Sequence, residues 1–127
     1  MAVFENATND RWVVYPVYNV DGTAAAATLI FTPGSTFTPT NVVVTLTSVS
    51  GFVSVSSLSV GTNATSYNNI LPISALTGLI GANISLNIPI VSAISSVSGG
   101  TGVFVNITTP AVATSFVLEV SVLGFYN

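Results

Sequence analysis

Lysine, histidine, cysteine and glutamine are missing from this 127-residue chain, and Arg11 is its one cationic side chain. Between Asp21 and Glu119 there is no Asp, Glu, Lys, Arg, His or Cys at all. Each absence excludes a chemistry. Without His or Cys there is no Ser-His-Asp or Cys-His nucleophile system. Without Lys there is no Schiff base, and without Cys no disulfide and no thiolate metal site. One arginine cannot neutralise a run of phosphates, so nucleic acid is not an expected partner. Anionic membrane surfaces fall on the same ground. With four carboxylates and no histidine, little titrates between strongly acidic and mildly alkaline pH, and folding is expected to be nearly independent of it.

Long unbroken apolar runs are also absent. The most apolar stretch, residues 70–94, is interrupted by Pro72, Asn83, Asn87 and Pro89, and its clearest period is two, so no membrane span is expected. The first residues lack the basic and apolar regions of a secretory signal. A start at Met1 without such a segment fits a protein incorporated into its assembly inside the cell.

What is present is a strand-forming composition. Half the residues are apolar but only 4% are charged, against about 25% in ordinary domains. Ser and Thr make up about a quarter of the chain. Disorder needs low hydrophobicity and high net charge, and the net charge here is −3. Short alternations of apolar residues with Ser or Thr, punctuated by Gly, Pro and Asn, signal an all-β fold. No linker or composition shift divides the chain, so residues 1–127 are expected to form one domain. The expected architecture is an antiparallel β-sandwich of eight or nine strands, as a jelly roll or an immunoglobulin-like Greek key.

Asp21-Gly22 between residues 11–20 and 23–32 reads as a two-residue hairpin. That register pairs Val20 with Thr23 and Val14 with Leu29, and makes both faces of the hairpin apolar. Pro16, lacking an N–H, must lie on an edge or at a bulge. A second hairpin is expected at Ser50-Gly51, with Val44, Leu46, Val53 and Val55 facing inward and Thr45, Thr47, Ser54 and Ser56 outward. A bulge at Ser56-Ser57 then shifts Leu58 and Val60 in parity. Residues 83–90 alternate with Ile84, Leu86, Ile88 and Ile90 inward, and Val103, Val105 and Ile107 repeat the pattern. The last strand, 115–126, turns Phe116, Leu118, Val120 and Val122 to one side. Residues 74–81 read as a short helical turn or loop.

Candidate sites are few. A glycosidase pair drawn from Glu5, Asp10, Asp21 and Glu119 is formally conceivable, but these residues read more simply as a turn former and solvated charges, and no enzyme is expected. Oxygens of Asn9, Asp10, Asn19 and Asp21 suit a hard cation, yet Asn and Asp are also ordinary turn residues and no calcium loop motif is present. No cofactor and no metal are expected. Asn-X-Ser/Thr sequons stand at Asn6, Asn63, Asn83 and Asn106 and are glycosylation candidates in an exported or surface setting. Trp12, Tyr15 and Tyr18 suggest either interface anchors or a sugar-stacking platform.

A surface with almost no charge promotes association, and a two-faced apolar hairpin needs a cover. Residues 1–10 read as an extended strand or arm that pairs with a neighbouring subunit. The assembly candidates are therefore Val3, Phe4, Trp12, Tyr15, Val17 and Tyr18. In its overall texture the chain resembles the Ser/Thr/Val-rich, Lys-poor β-sandwich structural proteins of thermophilic archaea and their viruses. That resemblance implies a subunit of a shell, tail or filament, often glycosylated, whose partners are copies of itself and other structural subunits. A virion structural protein is the leading reading. The alternatives are a secreted filament subunit linked by strand complementation and a carbohydrate- or surface-binding adhesion module.

Overall fold

The computed structural model describes residues 12–90 and 96–126. Among them are eight strands: β1 (Trp12–Asp21), β2 (Ala27–Phe31), β3 (Phe37–Ser50), β4 (Ser57–Gly61), β5 (Leu71–Ala75), β6 (Ile84–Pro89), β7 (Val103–Thr109) and β8 (Ser115–Tyr126). They form two four-stranded antiparallel sheets, ordered β1-β8-β3-β6 and β2-β7-β4-β5. The expected β-sandwich is therefore present.

The order has a simple logic. First pairs with last, second with seventh, third with sixth and fourth with fifth. The chain is in effect one long antiparallel strip, folded at the β4–β5 turn and rolled so that alternate segments fall in opposite sheets. The β3–β8 and β4–β7 ladders close the roll. An immunoglobulin-like order, with sheets ABED and CFG, does not fit this arrangement.

The roll overturns both expected hairpins. β1 pairs with β8 and β2 with β7, so the strands flanking Asp21-Gly22 lie in different sheets. Val20 faces Leu118 across the ladder rather than Thr23. The turn chemistry is real but serves a crossover. Asp21 accepts hydrogen bonds from the Thr23 N–H at 2.9 Å and hydroxyl at 2.6 Å. Gly22 meanwhile donates its N–H to Phe116 and accepts from Ala111, both at 2.7 Å. The second hairpin fails the same way. Gly51 (φ 59) turns the chain out of one sheet toward the other, and Val53 is 71% exposed rather than inward.

Side-chain alternation survives where pairing was misread. Val42, Val44 and Leu46 of β3, Val103, Val105 and Ile107 of β7, and Phe116, Leu118, Val120 and Val122 of β8 all face the core and are buried. Leu86 and Ile88 keep their expected side but belong to an edge strand, so they are only partly covered, while Ile84 at its start, expected inward, is exposed. The register slips between Ser57 and Leu58, beside the expected bulge. Residues 76–80 form a turn that buries Leu76 and Leu79.

Three of the four strand prolines mark edges, and the fourth, Pro39 of the inner strand β3, sits at a register slip against β8. Pro16 lies in edge strand β1, Pro72 in edge strand β5 and Pro89 in edge strand β6. The neighbour of Pro89, Ile90, donates to Thr40 at 2.9 Å. Since successive N–H groups alternate in direction, the proline nitrogen faces outward and costs the ladder nothing.

One polar atom in the interior lacks a partner. Ser56 is fully buried, and its Oγ has no hydrogen bond among the described residues. Removing an unsatisfied hydroxyl removes its desolvation cost. Ser56→Ala is therefore expected to stabilise the domain by about 1 kcal/mol, seen as a higher urea midpoint at unchanged slope.

Candidate functional site

The rolled topology puts four crossovers at one end of the sandwich: residues 22–26, 51–56, 76–83 and 110–114. They are stitched side by side. Ala111 donates to Gly22 at 2.7 Å, Val53 to Val112 at 2.7 Å, Val112 to Ser54 at 3.1 Å and Leu76 to Ser56 at 3.0 Å. Several backbone groups of these loops are thus satisfied by one another, beneath a surface that is apolar. Phe52, Val53, Ile80, Ile84 and Val112 all project there, from 36% to 71% exposed. None of the four crossovers carries a charged residue.

The opposite end is different in kind. Its described residues include exposed Gly34, Ser35, Thr36, Asn63, Thr65, Ser66, Asn68, Ser98, Gly99 and Gly100. Beneath them an aromatic cluster closes the core. Tyr15 stacks on Phe31 with centroids 3.9 Å apart, and Phe37 meets Tyr15, Phe31 and Tyr126 edge-on at 5.6, 5.1 and 5.7 Å. The Tyr15 and Tyr126 hydroxyls hydrogen-bond each other. Such edge-to-face pairs contribute beyond their buried area.

The assembly candidates divide accordingly. Tyr15 and Val17 are half-buried and pack on this chain's own core. Trp12 pairs with Phe125 in the ladder, and Tyr18 sits where the β1 register slips between Val17 and Val20. Val3 and Phe4, with Asn6 and the whole arm 1–10, lie outside the described residues. The outward side of the first two strands instead shows Val14 at 55% and Leu29 at 50% exposed. The loop-end cluster escaped the sequence reading because a paired register for 42–60 placed Val53 inside.

The three remaining sequons lie on the surface. Asn63 organises the β4–β5 turn: its Oδ1 accepts from the N–H groups of Asn68 at 2.9 Å and Asn69 at 3.2 Å, and its Nδ2 donates to Asn68 Oδ1 at 2.8 Å. Asn83 is exposed in the left-handed region at φ 68, which Asn tolerates better than most residues. Asn106 is half-buried on β7 between Ala27 and Ser59.

No cluster of three potential metal ligands occurs among the described residues, and Glu5, Asn9, Asp10 and Arg11 lie outside them. No described helix is long and apolar enough to cross a membrane, which says nothing of membrane β-barrels. Asp21 is a turn acid. The Thr23 hydroxyl first, and the Thr23 N–H second, hold its carboxyl below the usual carboxylate range. A depressed carboxylate pKa contributes stability above the unfolded value and loses it as pH falls through the folded one. The group is almost fully exposed, so that loss is small. The melting temperature is expected to stay flat from about pH 5 to 9 and to fall by no more than a few degrees below about pH 4. Scanning calorimetry across that range checks it, and a collapse between pH 6 and pH 3 would contradict it.

No family model and no curated protein matches the sequence. Solved structures do match the fold. A chain of the cyanophage Pam1 capsid asymmetric unit superposes with a TM-score of 0.60 at 17% identity, over 92% of this chain and 87% of that one. This sandwich is similar to phage capsid chains. The same holds for a chain from the capsid of Ralstonia phage GP4, with a TM-score of 0.59 at 15% identity, over 100% of this chain and 91% of the other. At these identities the likeness is one of fold. It extends over nearly the whole of each capsid chain, so neither is a larger protein in which this sandwich is a minor part.

Proposed function

We propose that the chain is a self-assembling structural subunit of a virion and has no catalytic role. The carrying observation is the near full-length fold likeness to two phage capsid chains. A surface nearly free of charge supports it from the chemical side, because little electrostatic repulsion opposes close packing of many copies. The strand order, two interleaved Greek keys closed into a roll, supports the jelly-roll reading. Partners are copies of the chain itself and other shell subunits, and residues 1–10 serve as an arm reaching a neighbour. Both similar chains come from phages, so the archaeal setting suggested by composition rests on composition alone.

Strand complementation, the mechanism of the secreted-filament alternative, needs an open edge. Three of the four sheet edges among the described residues hold a proline, and the fourth, β2, is five residues long with a register slip between Leu29 and Phe31. Prolines, short strands and bulges are the standard means of blunting an edge. Contacts through loops and faces are favoured instead. The adhesion alternative loses Tyr15 from its aromatic platform, since that ring is stacked on Phe31.

The test is stoichiometry. Purified particles from the source that encodes this chain are expected to contain it in many copies, measured by quantitative mass spectrometry. Its absence from particles, or its presence only in a cellular filament fraction, would overturn the reading. The same spectra address the glycans proposed at Asn6, Asn63, Asn83 and Asn106: modified sites add hexose-sized increments, and a bare chain mass removes that part.

A further inference from the structure

We propose that the stitched apolar end of the sandwich is a homotypic contact, at which two copies of this chain meet end to end about a two-fold axis. This deepens the assembly reading by naming the surface that carries it. The observation is an asymmetry. Eight large apolar side chains are exposed among the described residues, and five of them, Phe52, Val53, Ile80, Ile84 and Val112, crowd this one end. Scattered apolar residues need no explanation, but a contiguous patch usually marks a contact.

Area and charge both point to a second copy. The five side chains expose on the order of 400 Å², in the range of the largest patch a monomer carries. A standard interface covers about 800 Å² on each partner, a little over half of it apolar, so the patch is close to what one side of such a contact requires. The flanking surface is mostly small and uncharged, from exposed Ala24, Ala25 and Ala26 to Ser54 and Thr77, with the exposed carboxylate of Asp21 beside the first crossover. A charged partner would leave its own charges unpaired against it, at a desolvation cost. An identical end brings only Asp21, which is exposed to water, and so carries little such penalty.

The asymmetry also selects the symmetry. Head-to-tail stacking would set this apolar end against the Gly, Ser, Thr and Asn loops of the other, leaving polar groups poorly matched. An isologous contact buries apolar on apolar and closes after two copies. Residues 12 and 90, where the described chain begins and breaks off, both lie at the polar end, since Trp12 pairs with Phe125 and Ile90 donates to Thr40.

The experiment is sedimentation equilibrium on the full chain from about 1 to 200 µM, with three variants whose folding is verified by circular dichroism. The wild type is expected to show a monomer–dimer equilibrium. Val53→Asp and Val112→Asp are each expected to weaken dimerisation by at least about 30-fold, the size of a central hot spot. Ile73→Asp changes an equally exposed residue (61%) on edge strand β5 and is expected to leave the equilibrium unchanged. A wild type that stays monomeric throughout overturns the proposal, as does a dimer indifferent to both end variants. Loss of the dimer in Ile73→Asp as well would show general stickiness and also overturn it. A monomer in solution that is still a stoichiometric part of virions defeats this inference while leaving the virion reading intact.

Discussion

Replacing Phe37 with alanine is expected to destabilise the domain by about 3–5 kcal/mol, the usual cost of deleting a fully buried aromatic ring. Phe37 is 0% exposed and touches the rings of Tyr15, Phe31 and Tyr126. It opens β3, and its backbone also forms a two-way bridge with Val97, at 2.8 and 2.6 Å. The ring therefore joins both sheets, while the backbone ties them to the loop that returns across the polar end. A domain of this size has about 5–15 kcal/mol of stability in total. A loss of this size should lower the melting temperature by about 10–20 °C. Phe37→Leu retains most of the volume and should cost less than half as much. An alanine variant melting within about 3 °C of the wild type would mean that the cluster does not close the core.

The second large effect is the opposite error at the same place. Gly124 of β8 lies inward beneath the Phe37 ring, opposite Pro39 of β3. A Cβ there would overlap the carbonyl oxygen of Thr38 and stand 2.6 Å from Phe37 Cζ and 2.9 Å from Pro39 Cα. Two of these three neighbours are backbone and cannot rotate away. Gly124→Ala is expected to cost about 3 kcal/mol, at the upper end for overpacking, because the β3–β8 ladder itself must separate. Chemical denaturation measures this directly. Combining Gly124→Ala with Phe37→Leu should recover only part of the loss, since trimming the ring leaves the Thr38 and Pro39 collisions. Full recovery would show that the ring alone set the limit.

These two residues also show what the sequence could not reveal. The period-two pattern of residues 115–126 was legible, because one buried face per strand is written locally into alternating Phe116, Leu118, Val120 and Val122. The role of Gly124 was not, because its neighbours on β3 are some 85 positions away in the chain. The same limit explains both misread hairpins. A turn signal such as Asp21-Gly22 reports that the backbone reverses, not whether it returns within its own sheet or crosses to the other. In a rolled strip nearly every connection crosses, and the partner of β1 is the last strand of the chain. Proline was the more reliable guide. Pro16, read as an edge or bulge residue, lies on an edge, because a missing N–H constrains a strand wherever its partner comes from.

The loop-end patch was lost by the same mechanism. Once residues 42–60 are paired as one hairpin, Val53 must point inward beside Val44. As a crossover, the segment exchanges backbone hydrogen bonds with Val112 and Leu76, and Phe52 and Val53 are left on the surface. The general signal, a chain with almost no charge to keep copies apart, was visible from composition. Its location required the topology.

Cryo-electron microscopy of the particles that carry this chain tests the account most directly. The account predicts density for two four-stranded sheets at a regularly repeated position in the shell, with Val53, Ile80 and Val112 covered by an adjoining subunit. Particles whose maps hold no such repeated sandwich, or hold it with that end bare to solvent, would contradict it.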